Sequence, residues 1–547
     1  MPRLLSICAF AMLLAGCSKA PDPAPSAVAP AAPPAATVAA PVIAPAAAPA
    51  PAPVDSGIAW FKGDVDAAFA EAKSSKKPLF LYWGATWCPP CNQVKATIFN
   101  RQDFIERSRN FIAVYVDGDH PSAQKQATRF KVIGYPTMVL FRPDGNEVTR
   151  LPGEVDPEQY MRVLAMGMSG ARPVRETLAA ALAAPAPKDG PKLTTDDWRM
   201  LAWYSWATDE SQIVPENELP ATLKRLAQAC PADQPALCAR IRLQAVVAAA
   251  IARGAKPAPD AIATQLLMQM THDPALAREN FDLLVYYAGK VAGHVTAPKS
   301  VARRQLANSW NDALDQMLAD PKLSTFDRLG AVSAKVELAE LDAATGSLPA
   351  PLVAIVRDEV ARADRTTTDP YAREAAISAG ADVLAQAGLI AESDALLNAE
   401  LTRSHSPYYL MLGLAANAKK RGDSAAALGW YEKAYTSSVG QATRLQWGAT
   451  YLNALIDLSP KDNARIERTA AAIIAELEAS PDTFHGRNRR ALERIGRKLV
   501  AWNSAKDRSQ VVARLNAQLA DVCGKLPAGD PARAACDGAL NPARRTG

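Results

Sequence analysis

The sequence lacks the features that mark several common protein classes. Its 61 basic and 56 acidic residues leave a formal net charge of +5, which is too small to indicate a nucleic-acid partner. Eight cysteines in 547 residues are too few for a disulfide scaffold, and the five histidines are scattered, so neither a metal site nor a cofactor is predicted. No long apolar run follows the N-terminal segment, so no membrane-spanning helix is expected beyond it.

The chain begins with the pattern of a bacterial export signal. Arg3 is followed by an apolar stretch, Leu4–Leu14, that is too short to span a bilayer, as in secretory signal peptides. The next residues, up to Cys17, resemble the lipobox of bacterial lipoproteins, which implies cleavage before Cys17 and lipidation of its thiol. Residues 1–17 are therefore predicted to be a lipoprotein signal peptide, and the alternative is an ordinary signal peptide with a chance cysteine.

Residues 18–53 have the composition of an extended tether. Pro21–Pro53 contains 11 prolines and 15 alanines, with Asp22 as its single charge. Frequent proline blocks helix formation and favours extended polyproline II, so this segment is expected to hold the rest of the chain away from a membrane surface. The resemblance to lipoproteins also implies, from Ser18 after the lipidated cysteine, that the outer membrane is favoured over the inner, with the protein facing the periplasm.

Between Val54 and Met168, strand and helix patterns alternate. Pro78–Gly84 and Phe111–Asp117 are continuous apolar runs, typical of strands that are covered on both faces. Thr137–Phe141 and Glu147–Leu151 flank a turn and predict a β-hairpin. The sequence therefore predicts an α/β domain over residues 54–168.

A pair of cysteines follows the first predicted strand, in Trp87-Cys88-Pro89-Pro90-Cys91. Cys88 is expected at a helix N-terminus, where unpaired backbone N–H groups and the helix dipole favour its thiolate. Cys91 lies one turn later, close enough to form a disulfide with Cys88. This spacing predicts thiol–disulfide exchange, in which Cys88 forms a mixed disulfide and Cys91 resolves it.

The Trp-Cys-x-Pro-Cys sequence after a strand resembles the active site of the thioredoxin family, and Gly134-Tyr135-Pro136-Thr137 resembles that family's cis-proline loop. The resemblance implies a thioredoxin-like fold and thiol–disulfide oxidoreductase activity, with Pro136 positioning an extended substrate next to the dithiol. It also implies four residues that contact the substrate: Trp87, Tyr135, Thr137 and Gly153.

Some alternatives stay open at this site. Tyr82 stands where the family commonly has a buried aspartate, so the group that exchanges a proton with Cys91 is not identified. A zinc site would need two further ligands, and only His120 lies nearby. A structural disulfide or a catalytically silent thioredoxin fold is the more serious alternative, because a fold alone does not fix a function. The residues do not decide whether the site reduces, oxidises or isomerises disulfides.

The C-terminal two thirds of the chain carry helical patterns only. A linker rich in turn residues, 169–193, precedes them and surrounds one short helix. Gly388 and Gly422 are 34 residues apart, and the residues around Gly422 resemble a tetratricopeptide (TPR) repeat. Residues 194–547 are therefore predicted to form an all-α, TPR-like solenoid. Such a solenoid exposes a surface for a protein partner, and the alternative is that the helices only support the redox domain.

Four cysteines in this region predict two structural disulfides. Proximity favours the pairs Cys230–Cys238 and Cys523–Cys536, each across a short turn between helices, and a second redox pair is the alternative.

Two side-chain patterns in the helical region also need an interpretation. Trp198, Trp203 and Trp206 recur at helical spacing and predict a buried helix face. A basic run is predicted to be a solvated helix face, with contact to anionic lipid as the alternative; it comprises Arg487, Arg489, Arg490, Arg494, Arg497 and Lys498.

Together these patterns predict an exported, membrane-anchored thiol–disulfide oxidoreductase. Its substrates would be cysteine-containing periplasmic proteins, and an unidentified redox donor or acceptor would restore the dithiol. The alternative is a non-enzymatic lipoprotein scaffold, in which the helical array binds partners and the thioredoxin fold is a docking module.

Overall fold

The computed structural model describes residues 57–120, 122–151, 157–183, 193–206, 209, 212–343 and 348–540. The predicted lipidation site Cys17, the tether and Gly153 lie outside the described residues.

A four-stranded sheet forms the centre of the first region. Its strands are β1 (Leu79–Gly84), β2 (Ile112–Asp117), β3 (Thr137–Phe141) and β4 (Glu147–Leu151). The strand order is β2-β1-β3-β4; β1 and β2 are parallel, whereas β3 is antiparallel to both β1 and β4. All four strands were predicted from their apolar runs and the intervening turn.

Helices cover both faces of this sheet. They are α1 (Val65–Ser75), α2 (Pro89–Val94), α3 (Gln102–Ser108), α4 (Ala123–Arg129) and α5 (Pro157–Met168). A π-helical turn, Lys95–Phe99, continues α2. Side chains of β1 alternate between the faces, as strand geometry requires. Leu81 and Trp83 pack toward α1 and α4, while Phe80 and Tyr82 pack toward α3 and α5.

The second region is helical throughout the residues that the structure describes, apart from its turns. Its helices are α6 (Val174–Leu182), α7 (Thr195–Trp203), α8 (Leu219–Ala229), α9 (Pro235–Ile251), α10 (Ala261–His272), α11 (Pro274–Glu279), α12 (Phe281–Tyr286), α13 (Ala288–Val295), α14 (Val301–Ala319), α15 (Thr325–Glu340), α16 (Ala350–Thr366), α17 (Pro370–Gln386), α18 (Ile390–Glu400), α19 (Pro407–Lys420), α20 (Ser424–Ser437), α21 (Gln441–Leu458), α22 (Asn463–Ala475), α23 (Gly486–Trp502), α24 (Ser509–Gly524) and α25 (Pro531–Asp537). The predicted fold class, an α/β domain followed by an all-helical region, is confirmed. No helix in the described part of the chain is both long and apolar enough to cross a bilayer.

The two helix pairs predicted around Gly388 and Gly422 are present. Gly388 separates α17 from α18 with a φ of +80°, and Gly422 separates α19 from α20 with a φ of +78°. Glycine adopts this left-handed conformation without strain, so it can end one helix and turn the chain into the next. Asp423 then caps α20 by accepting a hydrogen bond of 2.9 Å from the backbone N–H of Ala426.

The hydrophobic cores run through both regions. Trp198, Trp203 and Trp206 are buried, as predicted, in the same cluster as Phe80 of the sheet, although Trp206 lies beyond the end of α7 and not on its face. Val174 of α6, the short helix within the predicted linker, is also buried there. On the opposite face, the cluster around Trp83 continues into the helices α19 to α25. The helical region is therefore packed against the redox region on two sides.

Candidate functional site

The two motif cysteines lie where β1 leads into α2. Cys88 is the N-cap residue of α2, with extended backbone, and its sulfur accepts a hydrogen bond of 3.2 Å from the backbone N–H of Cys91. Pro89 and Pro90 occupy the first helical positions, where a missing N–H leaves no unsatisfied donor. Cys88 and Cys91 are joined as a disulfide with their Cα atoms 5.2 Å apart. The amides at this helix start can stabilise negative charge on the Cys88 sulfur.

The loop before β3 lies beside this dithiol. The Tyr135–Pro136 peptide bond is cis, and the Thr137 hydroxyl donates a hydrogen bond of 2.9 Å to the carbonyl of Gly134. The ring of Tyr135 lies 6.3 Å from the ring of Trp87, centroid to centroid. The structure thus brings the Trp-Cys motif and the proline loop together, as the resemblance to thioredoxins implies.

Tyr82 replaces the family's buried aspartate with an aromatic ring. Burial, together with the charge of Asp117, raises the pKa of the Tyr82 hydroxyl far above its ordinary value. That hydroxyl has no hydrogen-bond partner among the described residues, and the ring packs 4.9 Å from Phe99. Tyr82 therefore stays protonated and cannot accept a proton from Cys91 as a carboxylate would.

Asp119, just after β2, is a half-buried acid near this site. Its Oδ1 accepts hydrogen bonds from the backbone N–H of Thr443 at 2.8 Å and from the Thr443 hydroxyl at 2.6 Å. Burial raises the pKa of Asp119 to about 6, the nearby charge of Asp117 adds to the rise, and the bonds from Thr443 oppose it. Because Thr443 belongs to α21, this carboxyl joins the redox region to the helical region.

Side chains of the helical region cover the dithiol. The ring of Trp447 meets the Trp87 ring edge to face at 4.8 Å, and the ring of Tyr409 stacks on it at 6.1 Å. The guanidinium of Arg487 lies 5.3 Å from the centre of the Trp87 ring and 4.6 Å from that of Tyr135. As a result, Cys88 is only 3% exposed.

Trp447, Tyr409 and Arg487 are called the cover below. Backbone and side-chain hydrogen bonds between the two regions surround it. His405 Nε2 donates to the carbonyl of Thr86 at 3.1 Å. The backbone N–H of Arg487 donates to Gln124 Oε1 at 2.8 Å, and the N–H of Gly486 donates to the hydroxyl of Thr128 at 3.0 Å.

The prediction that the basic run forms a solvated helix face is wrong at its N-terminal end. Arg487 lies on the two active-site rings, and Arg490 Nη2 donates to the carbonyl of Ile133 at 3.3 Å. Arg489 does remain exposed and pairs with Glu493 on the surface. One helix can carry both kinds of arginine because residues two positions apart point in different directions around its axis.

The remaining predicted site residues lie elsewhere. The structure joins Cys230 to Cys238 and Cys523 to Cys536, each pair with Cα atoms 5.6 Å apart. Among the residues that the structure describes, no three His, Cys, Asp or Glu side chains come together as metal ligands would.

The sequence alone did not identify the side chains that lie over the active-site rings, nor the acid and its partner threonine that join the two regions beside them. Those residues are Asp119, Tyr409, Thr443, Trp447 and Arg487. Only the arginine at the start of α23 had been singled out in the sequence, and it was predicted to lie on a solvent-exposed helix face.

Comparison with known proteins places the first region in one family. A family model described as "Thioredoxin-like domain" matches residues 65–167. The thioredoxins of Mycobacterium bovis and Mycobacterium tuberculosis are 33% identical over 101 residues, which is 18% of this chain and 83% of theirs. "Thiol:disulfide interchange protein DsbD 1" of Pseudomonas aeruginosa is 28% identical over 96 residues, 17% of this chain and 16% of that protein.

A solved structure is similar over a fifth of the chain. The solution structure of a thioredoxin from Thermus thermophilus has 25% sequence identity, covering 20% of this chain and 85% of that one, with a TM-score of 0.19. The mycobacterial relatives are matched over most of their length, and the paired cysteines stand at the helix start beside a cis-proline loop. This chain belongs to the thioredoxin family and is a thiol–disulfide oxidoreductase.

Proposed function

We propose that the chain is an exported, lipid-anchored oxidoreductase whose Cys88–Cys91 dithiol exchanges disulfides with cysteine-containing periplasmic proteins. The observation that carries the chemistry is the placement of Cys88 at the N-cap of α2, beside the Tyr135–Pro136 loop. Export and anchoring rest on the signal pattern that ends at Cys17. The relative from P. aeruginosa is named as a thiol:disulfide interchange protein, which fits the same class of reaction.

In the reducing direction, the Cys88 thiolate attacks one sulfur of a substrate disulfide. The Cys88–substrate bond forms, the substrate disulfide breaks, and the departing thiolate takes a proton. The Cys91 thiol then loses its proton and attacks the Cys88 sulfur. This step releases the second substrate thiolate and leaves the Cys88–Cys91 disulfide, so two electrons pass to the substrate. The oxidising direction is the reverse.

The residues around the dithiol have separate roles in this proposal. The loop that contains the cis Tyr135–Pro136 bond would hold an extended substrate segment next to the dithiol. Trp87, Tyr135 and Thr137 would contact that segment. The pairs Cys230–Cys238 and Cys523–Cys536 are structural, because each closes a short turn between helices far along the chain from the dithiol.

Trapping of mixed disulfides tests the roles of the two cysteines. In Cys91→Ser, Cys88 can still attack a substrate, but no resolving thiol is present, so adducts should accumulate in cells and disappear on reduction. Cys88→Ser is the matched control and should give no adducts. Equal adduct patterns from the two variants would overturn the assignment of Cys88 as the nucleophile.

Lipid anchoring is tested separately. Cells that express the full chain and are fed labelled palmitate should incorporate the label into the protein, which should sediment with membranes. Cys17→Ala should lose both the label and the sedimentation. A labelled Cys17→Ala protein, or an unlabelled wild type, would contradict the anchor without affecting the redox assignment.

A further inference from the structure

The dithiol is closed off in this structure. Cys88 is 3% exposed and Tyr135 is 5% exposed, while Trp87 is buried to a similar degree. A mixed disulfide requires a substrate sulfur about 2 Å from the Cys88 sulfur. A polypeptide cannot reach that distance while Cys88 stays this buried and side chains of the helical region lie on the rings of Trp87 and Tyr135.

The cover comes from three helices, and two of them meet the site at their first turns. Thr443 is the third residue of α21 and Arg487 is the second residue of α23. Trp447 lies one turn further into α21, and its ring reaches Trp87. The first two turns of α21 and the first turn of α23 therefore cover the two active-site rings together with Tyr409 of α19.

We propose that residues 440–447, at the start of α21, and 486–490, at the start of α23, form a gate that must withdraw before a protein substrate reacts with Cys88. The inference rests on the proposed function, because it regulates access to that same dithiol. In the closed state, Trp447 and Arg487 occupy the surface of Trp87 and Tyr135 that a substrate would use.

Polar bonds hold the gate closed at its edge. The carboxyl of Asp119 accepts hydrogen bonds from both the backbone N–H and the hydroxyl of Thr443. Thr443 is fully buried. Each of these bonds joins the two regions, so each is lost when the gate opens. Water can replace them at Asp119 once the carboxyl is exposed, which makes the contact reversible.

Gly440 permits this close approach. It precedes α21 with a φ of +89°, and a Cβ atom at this position would lie 2.6 Å from Asp119 Cγ. A methyl group there would clash with the acid in the closed state only, since withdrawal of the gate removes the clash. Gly422 has a similar φ of +78° but has nothing within 4 Å of the position of its Cβ. It therefore provides a matched control for backbone strain.

Access to Cys88 is the quantity that tests the gate. In the Cys91→Ser background of the full chain, Cys88 is alkylated with iodoacetamide and, separately, with a maleimide that carries a polyethylene glycol chain. The ratio of the large-reagent rate to the small-reagent rate, here called the access ratio, reports steric access to Cys88. Changes in the thiolate fraction cancel in this ratio because they alter both rates equally. Modification is read at the Cys88 peptide by mass spectrometry.

Thr443→Val keeps the shape of the side chain and removes its hydroxyl bond to Asp119. We expect it to raise the access ratio by roughly two- to tenfold, the factor for losing one buried hydrogen bond from the closed state. Gly440→Ala should raise it further. Thr436→Val, whose hydroxyl bonds only to backbone within its own helix, and Gly422→Ala should leave the ratio unchanged.

Reduction of insulin disulfides, measured with both active-site cysteines present, separates this inference from the proposed function. If the gate is real, Thr443→Val and Gly440→Ala should also reduce insulin faster than wild type. An unchanged access ratio in both variants overturns the gate, and if wild type then reduces insulin, the oxidoreductase assignment stands. A raised ratio without insulin reduction in any variant supports the gate and counts against protein disulfides as substrates.

Discussion

The redox region meets the helical region on two faces of its sheet, and the two contacts differ in chemistry. On one face, Phe80 and Tyr82 continue into an apolar core that includes Trp203 and Leu223. On the other, the contact holds aromatic rings but also the carboxyl of Asp119 with its bonds to Thr443. Apolar cores resist separation, whereas contacts that contain polar groups resemble those between domains that move. In the proposal made above, the first contact stays in place while the second opens.

The largest expected effect comes from breaking the apolar contact. Trp203 is 1% exposed and the guanidinium of Arg240 lies 3.5 Å from the centre of its ring, so Trp203→Ala removes a large buried side chain and uncovers a charge. We expect the free energy of unfolding to fall by about 3–5 kcal/mol. Urea unfolding followed by circular dichroism measures it.

The matched control is Trp430→Ala, because that ring is only half-buried on α20 with Lys433 over it. The control should lose much less stability. Equal losses from the two substitutions would mean that the apolar contact has no special role in holding the regions together.

A smaller effect on stability is expected when the contact between Arg487 and the rings of Trp87 and Tyr135 is weakened. Arg487→Met removes a cation that lies on the rings of Trp87 and Tyr135, which is worth about 1 kcal/mol for a partly desolvated pair. Global stability should therefore change little, while access of a large alkylating reagent to Cys88 should rise about fivefold.

Arg489→Met is the control for this prediction, since Arg489 is exposed and its pair with Glu493 is a surface ion pair of small value. It should not alter access to Cys88. If it raises access as much as Arg487→Met does, the effect comes from the charge of the whole helix and not from the contact with the rings.

The sequence predicts those parts of the site that are close together along the chain. Cys88 and Cys91 are one turn apart after an apolar run of strand length, so the local pattern places them where β1 leads into α2, and the resemblance to thioredoxins identified the proline loop before β3. Trp203 was correctly placed in a core because large aromatic residues at helical spacing rarely face water.

The cover could not be predicted in this way. Thr443 and Asp119 are 324 residues apart, and nothing in the local pattern of either residue specifies the other. Arg487 belongs to a charged helix face, and such a face has the same sequence pattern whether it meets water or an aromatic ring.

The smallest expected effect is a change with pH in the stability of the closed gate, through the contact between Asp119 and Thr443. In the closed state burial raises the pKa of Asp119 to about 6, whereas an exposed aspartate titrates near 3.9. Protonated Asp119 therefore favours closure: the closed state is most stable below about pH 4 and loses stability as pH rises through about 6. The titratable groups facing this carboxyl are Asp117, Tyr115, Tyr135 and Tyr408, and the charged Arg487 lies on the ring of Tyr135.

The measurement is the ratio of large- to small-reagent alkylation of Cys88 between pH 5 and 7. In wild type this ratio should increase with pH, because deprotonation of a buried carboxyl opposes closure. Asp119→Asn keeps the shape and an oxygen that accepts from Thr443 but cannot ionise, so its ratio should be flat. A rise of equal size in Asp119→Asn would show that the pH dependence does not come from this acid.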